Sequence, residues 1–525
     1  MFFRLLLMLH RWVGVALCTL FLLWFPSGIG MMYWGMPAIT VRDRLERWPT
    51  LDPSRIRVSP GEAAEIAGVV PALEQVRFNS YDGRPAYRIG AGGGVHIVYA
   101  DTGEKQEMAS RDLRDRAAAA WTGQPAHDAR VDSVTEPDQW IVGNQLRNLR
   151  PLWKYAWPNG DQVYIGDSGE VLLHTTTRSR LAAYVSAVPH WLYFTPLRAR
   201  QPFWIRFTTY AAMVGTAGAT VGVVIGIWLY SPRKRYRFAG APSRIPYRGQ
   251  KRLHVIFGLI FGLATVTWTF SGSLAFLPFP APRPVPQVRQ IQPQAGQGRG
   301  VIGRRGGDGG LAAALRGRAS LEDFAGAHPR DILGRVEGFD VKELSLTSFA
   351  GQALYAASLR DGSTQLIALD GRVIDEVDRG AIVDIVRANA ARPELVETMI
   401  VDQYDYHYLD RRRQRPLPVI LAQMHDADRT RYYIDPKTAT VVGTYSERNW
   451  ARRFFYNGLH SLSFPWLYNH RPLWDIVVIA FMTGGTALCV TSLLLAWRML
   501  DRKLRRVAAG APRRARDATT LAVRA

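Results

Sequence analysis

The chain has 525 residues, 47% of them hydrophobic, a formal net charge of +22 and only two cysteines. That length exceeds one ordinary domain, and two cysteines without a CxxCH motif exclude both a disulfide framework and a covalently attached c-type haem. The positive charge gathers at the ends of apolar runs and forms no single groove, which argues against nucleic acid as a partner.

The first apolar run extends from Trp12 to Trp34 and opens on LHRWVG, with His10 and Arg11 at its mouth. A basic start before an apolar stretch has the look of a secretory signal. The run continues without a small-residue cleavage site, however, and has a counterpart later in the chain, so it is expected to be a retained anchor within residues 1–34. Further runs follow at Phe203 to Tyr230, Leu253 to Leu277 and Trp474 to Trp497. At about 1.5 Å per helical residue, each can cross a hydrocarbon core of roughly 30 Å. The prediction is therefore a membrane α-helical protein with four spanning helices.

Charge orients them. Residues 231–252 carry eight Lys or Arg and no acid, and residues 498–525 carry nine against Asp501 and Asp517. These segments supply fifteen of the net positive charges. By the positive-inside rule they form a cytoplasmic loop and a cytoplasmic tail, with both termini inside. Membrane lipids, anionic headgroups above all, are the partner this charge implies. Residues 35–202 and 278–473 then lie outside. In the second segment, residues 278–310 are rich in Pro and Gly and read as a linker, with folding resuming near Leu311.

The two outer segments, 35–202 and 311–473, are each long enough for a domain. Each contains strand-turn-strand patterns: VYADTGEKQ and VYIGDSGEVL in the first, LIALDGRVI and YYIDPKTATVV in the second. Turn residues between β-branched runs predict hairpins, and SPGEAAEIAG predicts a helix capped by Ser59 with Glu62 closing the box. Two α+β domains are expected.

Repetition organises the whole. An offset of 244 places Leu9, His10, Gly14, Trp24, Ser27 and Gly28 on Leu253, His254, Gly258, Trp268, Ser271 and Gly272. An offset of 270 places His190, Phe194, Trp204, Gly215 and Thr216 on His460, Phe464, Trp474, Gly485 and Thr486. Ser80 to Gly83 followed by Tyr87 likewise matches Ser348 to Gly351 followed by Tyr355. Each half thus reads helix, outer domain, helix. Because both halves start on the same side, their axis should run along the membrane normal.

LHRWVG with SG seventeen residues after its histidine, the VYIGDSGEVL and YYIDPKTATVV hairpins, and RRFFYNGLHSLSFP before the last helix together resemble the PepSY-associated transmembrane proteins. The turn of YYIDPKTATVV departs from the family pattern in lacking the usual Gly and Glu, and the linker is long. The resemblance covers nearly the whole chain. It implies PepSY-like outer domains, and for some members of the family it implies haem and reduction of ferric siderophores at the bacterial inner membrane.

The residues make a separate case for haem. Ionisable side chains at membrane depth are costly and point to function. The axis would bring His10 against His254 near the cytoplasmic face and His190 against His460 near the outer face. Each pair is a set of axial ligands for one b-type haem iron, because the porphyrin supplies the other four nitrogens. Gly14, Gly258, Gly28 and Gly272 would let a flat macrocycle approach the helices. Trp24 and Trp268, about 21 Å further along their helices, would either lie between the two haems or belong to an interfacial belt.

WKYAW (153–157) and DQYDYHYLDRRRQR (402–415) join aromatics to cations, which suits an anionic ferric chelate and also an ordinary domain surface. His407 and His425 lack metal-ligand spacing, and GAGGG at 90–94 lacks a phosphate-loop context.

These expectations add up to an inner-membrane haem b protein that carries electrons outward to reduce a ferric siderophore in the periplasm. With no Rossmann or flavin motif, its electron donor would be a quinol or a separate cytoplasmic reductase. The alternatives are a non-catalytic PepSY protein that binds or restrains a peptidase, and a haem conduit to another acceptor.

Overall fold

A computed structural model describes residues 1–91, 94–143, 146, 149–238, 241–275, 308–336, 338–390, 393–410 and 413–508. Most of the proposed linker therefore falls outside the described residues, as do two glycines of GAGGG, Arg411 and Arg412 of the aromatic-cation stretch, and the end of the tail. The chain divides into two units.

The first unit holds four long helices: α1 (Phe2–Tyr33), α2 (Gln201–Leu229), α3 (Gly249–Ser273) and α4 (Leu473–Ala508). All four are long and apolar enough to cross a membrane. Two run well past the apolar limits read from sequence: α1 begins ten residues before Trp12, and α4 continues eleven residues beyond Trp497. An apolar run measures hydrocarbon depth. A helix, by contrast, continues past the apolar run wherever good helix formers such as Leu, Arg and Met follow, because its backbone groups bond one another within the helix.

Small residues let the helices meet. Along α2, Gly215, Gly218 and Gly222 face Phe21, Val13 and His10 of α1, and a Cβ at any of them would collide with those side chains. Gly226 faces Leu259 of α3, while Gly484 and Gly485 of α4 receive Phe261 of α3 and Phe25 of α1. Thr216 of α2 also donates to Thr269 of α3 at 3.2 Å. The helices therefore pack in the cyclic order α1, α2, α3, α4, through the small-residue contacts expected where lipid removes the hydrophobic drive for association.

The second unit is α+β. Its largest sheet has eight antiparallel strands: β1 (Val76–Tyr81), β2 (Arg84–Ala91), β3 (Gly94–Tyr99) and β4 (Lys105–Gln106) from the first outer segment, and β9 (Val341–Phe349), β10 (Gln352–Leu359), β11 (Thr364–Ala368) and β12 (Val373–Ile374) from the second. Each set is a meander, and the two join where β1 pairs with β9, Phe78 opposite Leu344. The outer segments therefore do not form two separate domains, as their sequences suggested. Each meander would otherwise expose an unpaired edge strand, and pairing the two edges satisfies those backbone groups. One core serves both, with Phe78, Tyr87 and Ile89 packed together with Leu344, Tyr355 and Ile367.

The matched S-x-x-G motifs are the β1–β2 and β9–β10 turns. Asp82 and Gly83 have φ of 52° and 69°, Ala350 and Gly351 have 51° and 84°, the double left-handed geometry that suits two-residue hairpins. The tyrosine four residues on is wholly buried in both. Tyr87 donates to the Val58 carbonyl at 2.6 Å and Tyr355 to that of Ala327 at 2.8 Å. Ser59 and Glu62 form the expected capping box on the helix Pro60–Ala67.

Each segment adds a four-stranded antiparallel sheet: β5 to β8 (Arg130–Val134, Leu152–Ala156, Gln162–Ile165, Val171–Thr175) and β13 to β16 (Glu397–Val401, Val419–Gln423, Arg431–Asp435, Thr440–Tyr445). VYADTGEKQ, VYIGDSGEVL, LIALDGRVI and YYIDPKTATVV are the hairpins β3–β4, β7–β8, β11–β12 and β15–β16.

Candidate functional site: two facing histidine pairs

In the helical unit, His10 of α1 and His254 of α3 face each other with ring centroids 6.2 Å apart and planes 39° apart. Each ring is held by the next helix in the chain. His10 Nδ1 lies 3.0 Å from the Gly218 carbonyl of α2, and a carbonyl only accepts, so Nδ1 carries the proton and Nε2 the lone pair. His254 Nδ1 lies 3.2 Å from Thr491 Oγ1 and 3.4 Å from Ser492 Oγ on α4. Both hydroxyls donate to the Leu488 carbonyl, at 2.8 and 3.0 Å, so toward the ring they offer lone pairs. His254 therefore also donates from Nδ1, and its Nε2 also keeps a lone pair. This is the arrangement in which imidazole binds metal, with the remote nitrogen as ligand and the near one anchored.

Gly222 sets the height of His10, because a side chain there would occupy the imidazole ring itself. By the 270 offset its counterpart is Ser492, which bonds His254. One turn beyond each histidine, Gly14 has nothing within 4 Å of where a Cβ would stand, and Gly258 has only Leu488 at 3.9 Å. Neither glycine therefore has crowded surroundings on its Cβ side. Gly28 is buried and Gly272 half-buried. Trp268 is buried with Phe25 and Phe481 at 6.0 and 6.2 Å, whereas its counterpart Trp24 stacks on Phe21 and is half-exposed.

The second unit holds the other pair. His190 is the penultimate residue of a short helix, Ala187–Trp191, and His460 ends a π-helix, Arg452–His460. Their centroids are 6.1 Å apart with planes at 60°, and Tyr456 stacks on His460 at 5.3 Å. An imidazole nitrogen sits about 2 Å from a bound transition-metal ion and about 1.1 Å from its own ring centre, so two imidazoles trans to one metal have centroids roughly 6 Å apart. Both pairs meet that spacing. Among the described residues no group of three or more His, Cys, Asp or Glu could hold a bare ion, whereas haem iron asks the protein for two ligands.

The aromatic-cation stretches serve the fold. Tyr155 donates to Asp115 at 2.6 Å, Trp157 to the Pro125 carbonyl at 2.9 Å, and Lys154 bonds Asp138 at 3.1 Å. Asp405 accepts from the His407 and Tyr408 amides and from the Tyr433 hydroxyl, and Tyr408 is wholly buried. His425 lies 3.8 Å from Glu397.

His407 stacks on Tyr445 at 3.7 Å, and burial, aided by the Arg431 and Arg453 charges and opposed by Asp405, pulls its pKa down to about 4. An unfolded chain regains the ordinary value near 6.5 and binds a proton more readily, so folding stability should fall as pH drops from about 6.5 to about 4, then level off. Unfolding midpoints measured across that window should decline less steeply for His407→Phe than for the parent. Equal slopes would remove His407 as the cause.

Sequence reasoning missed the anchors of the first pair. Gly218 acts through its carbonyl, which no side chain advertises. The spacing of Gly215, Gly218, Gly222 and Gly226 on one face of α2 was nonetheless a readable sign of close helix approach.

The class is thus a protein with four membrane-length helices, an α+β unit and two facing histidine pairs. No protein-family model and no curated protein matches the chain.

Proposed function

We propose that this chain is a PepSY-associated protein of the bacterial inner membrane that carries electrons to the periplasm and reduces ferric iron there, the iron being held as a ferric siderophore. The observation that carries the reading is the pair of imidazole pairs, at 6.2 and 6.1 Å, each built from positions related by one of the two sequence offsets. The mirrored strand order about the β1–β9 seam supports the same two-half architecture.

His10 and His254 would hold one b-type haem and His190 and His460 a second, each supplying one-electron Fe(III)/Fe(II) chemistry. The chain's own residues then have defined tasks. Gly218 and the Thr491 and Ser492 hydroxyls keep the Nδ1 protons of the helical pair in place, fix both tautomers and raise the basicity of each Nε2. Phe25, Phe261, Phe481 and Trp268 pack the bundle interior with apolar rings, excluding water from the path between its two ends. Positive flanks put the loop 231–252 and the tail in the cytoplasm, where a separate reductase or a quinol delivers electrons. Reduction frees the metal because Fe(II) binds hard oxygen donors less tightly than Fe(III).

Protein purified in detergent from haem-replete cells should be red, with a Soret band and sharp low-spin bands on reduction. Colourless protein would end this reading and favour a peptidase-binding module. The anchors give a finer test. Thr491→Val with Ser492→Ala should weaken haem retention on the order of 10–100-fold, the usual cost of losing partners of a ligating histidine. Retention equal to the parent's would show that the hydroxyls do not orient His254.

A further inference from the structure

The start of α3 and the end of α4 flank an open cleft of about 430 Å³, lined by Arg248, Gln250 and Lys251 from one side and Leu495, Arg498 and Arg502 from the other. Four cations converge on it. Asp501 is the single acid on its wall, and that carboxylate is held by Arg505 at 2.9 and 3.0 Å. Among the described residues none of the four cations forms an ion pair. Arg248 instead lies over Phe238 and Lys251 over Tyr247, at 4.6 and 5.7 Å, contacts that leave their N–H groups available. Like charges gathered around one cleft repel, and an anion within it reverses the sign. The amide oxygen of Gln250 is buried and has no hydrogen-bond donor. A ligand that satisfied the whole wall would therefore bring both an anion and a hydroxyl. Leu495, one turn from the Thr491 and Ser492 that hold His254, makes the inner end of the cleft apolar.

We propose that this cleft binds the phosphodiester headgroup of an anionic phospholipid that carries a headgroup hydroxyl. The phosphate oxygens take up the arginine and lysine donors, the hydroxyl donates to Gln250, and the acyl chains run along the lipid-facing side of α3 and α4. Basic recesses between membrane helices are suited to such headgroups. The site depends on the four helices and their charges alone, so it stands whether or not the histidines hold haem.

The test is lipid binding by the full chain in detergent, read by native mass spectrometry with phosphatidylglycerol, phosphatidylcholine or inorganic phosphate added at equal phosphate concentration. Phosphatidylglycerol should bind in preference to phosphatidylcholine. Arg498→Gln with Arg502→Gln should weaken it roughly thirty-fold, at about 1 kcal/mol per basic residue. Arg233→Gln with Arg235→Gln removes the same charge away from the cleft and should leave binding unchanged. Arg498→Lys with Arg502→Lys keeps the charge, guards against a folding artefact and should retain most of the binding. Equal losses in the two glutamine variants would reduce the effect to diffuse attraction and overturn the site. Competition by inorganic phosphate as strong as by lipid would assign the cleft to free phosphate. Haem content is read from the same samples, so a colourless protein that still selects phosphatidylglycerol would sink the electron-transfer reading and keep this one.

Discussion

Replacing His10 or His254 with Ala should lower bound haem by about half, since one of the two proposed haem sites then keeps a single ligand, and should abolish periplasmic ferric reduction altogether. On the proposed reading, electrons entering from the cytoplasmic side would meet the His10–His254 pair first. Without it, a physiological donor should no longer reduce the haem that remains, although dithionite still should. Either single replacement should act alike, because the site is left with one axial imidazole and loses its haem whichever side is replaced. The anchors sharpen this expectation. His10 leans on a backbone carbonyl and His254 on two hydroxyls, so the two variants disturb different helices while producing the same spectral loss. Full haem content with normal ferrous release in either variant would disprove the ligand role.

The His190 and His460 variants should separate the two sites. Each should again lose about half the haem, yet the remaining haem should be reduced by the physiological donor at the parental rate while ferrous iron release disappears. Titrating each variant with donor, with haem spectra and ferrous release recorded together, distinguishes this from general damage, which would slow both. His460 ends a π-helix and stacks on Tyr456, so His460→Ala also removes a packing contact. His190→Ala leaves that stack in place. If both variants keep two low-spin haems and full reductase activity, the second site is wrong, and with it the pairing inferred from the 270 offset.

Much of this architecture was legible in the chain. Four apolar runs, their basic flanks and the hairpin turns are local features, set by hydrophobic length and by the few residues that tolerate positive φ, and composition reports such features directly. The histidine offsets were legible too, because they are counted along the chain whatever the residues touch. The pairing of β1 with β9 left no local mark: Phe78 and Leu344 are 266 residues apart, and the bonds between those strands are backbone bonds that any sequence can make. Sequence also could not tell whether DQYDYHYLDRRRQR faces a ligand or a core. Burial decided it, since Asp405, Tyr408 and Tyr433 bond one another inside the sheet-bearing unit. That His10 and His254 meet, and that a carbonyl on one side and two hydroxyls on the other turn both Nε2 lone pairs loose, depended on helix packing alone. The close approach of α1 to α2 and of α3 to α4 brings a backbone oxygen and two side chains to rings more than two hundred residues away.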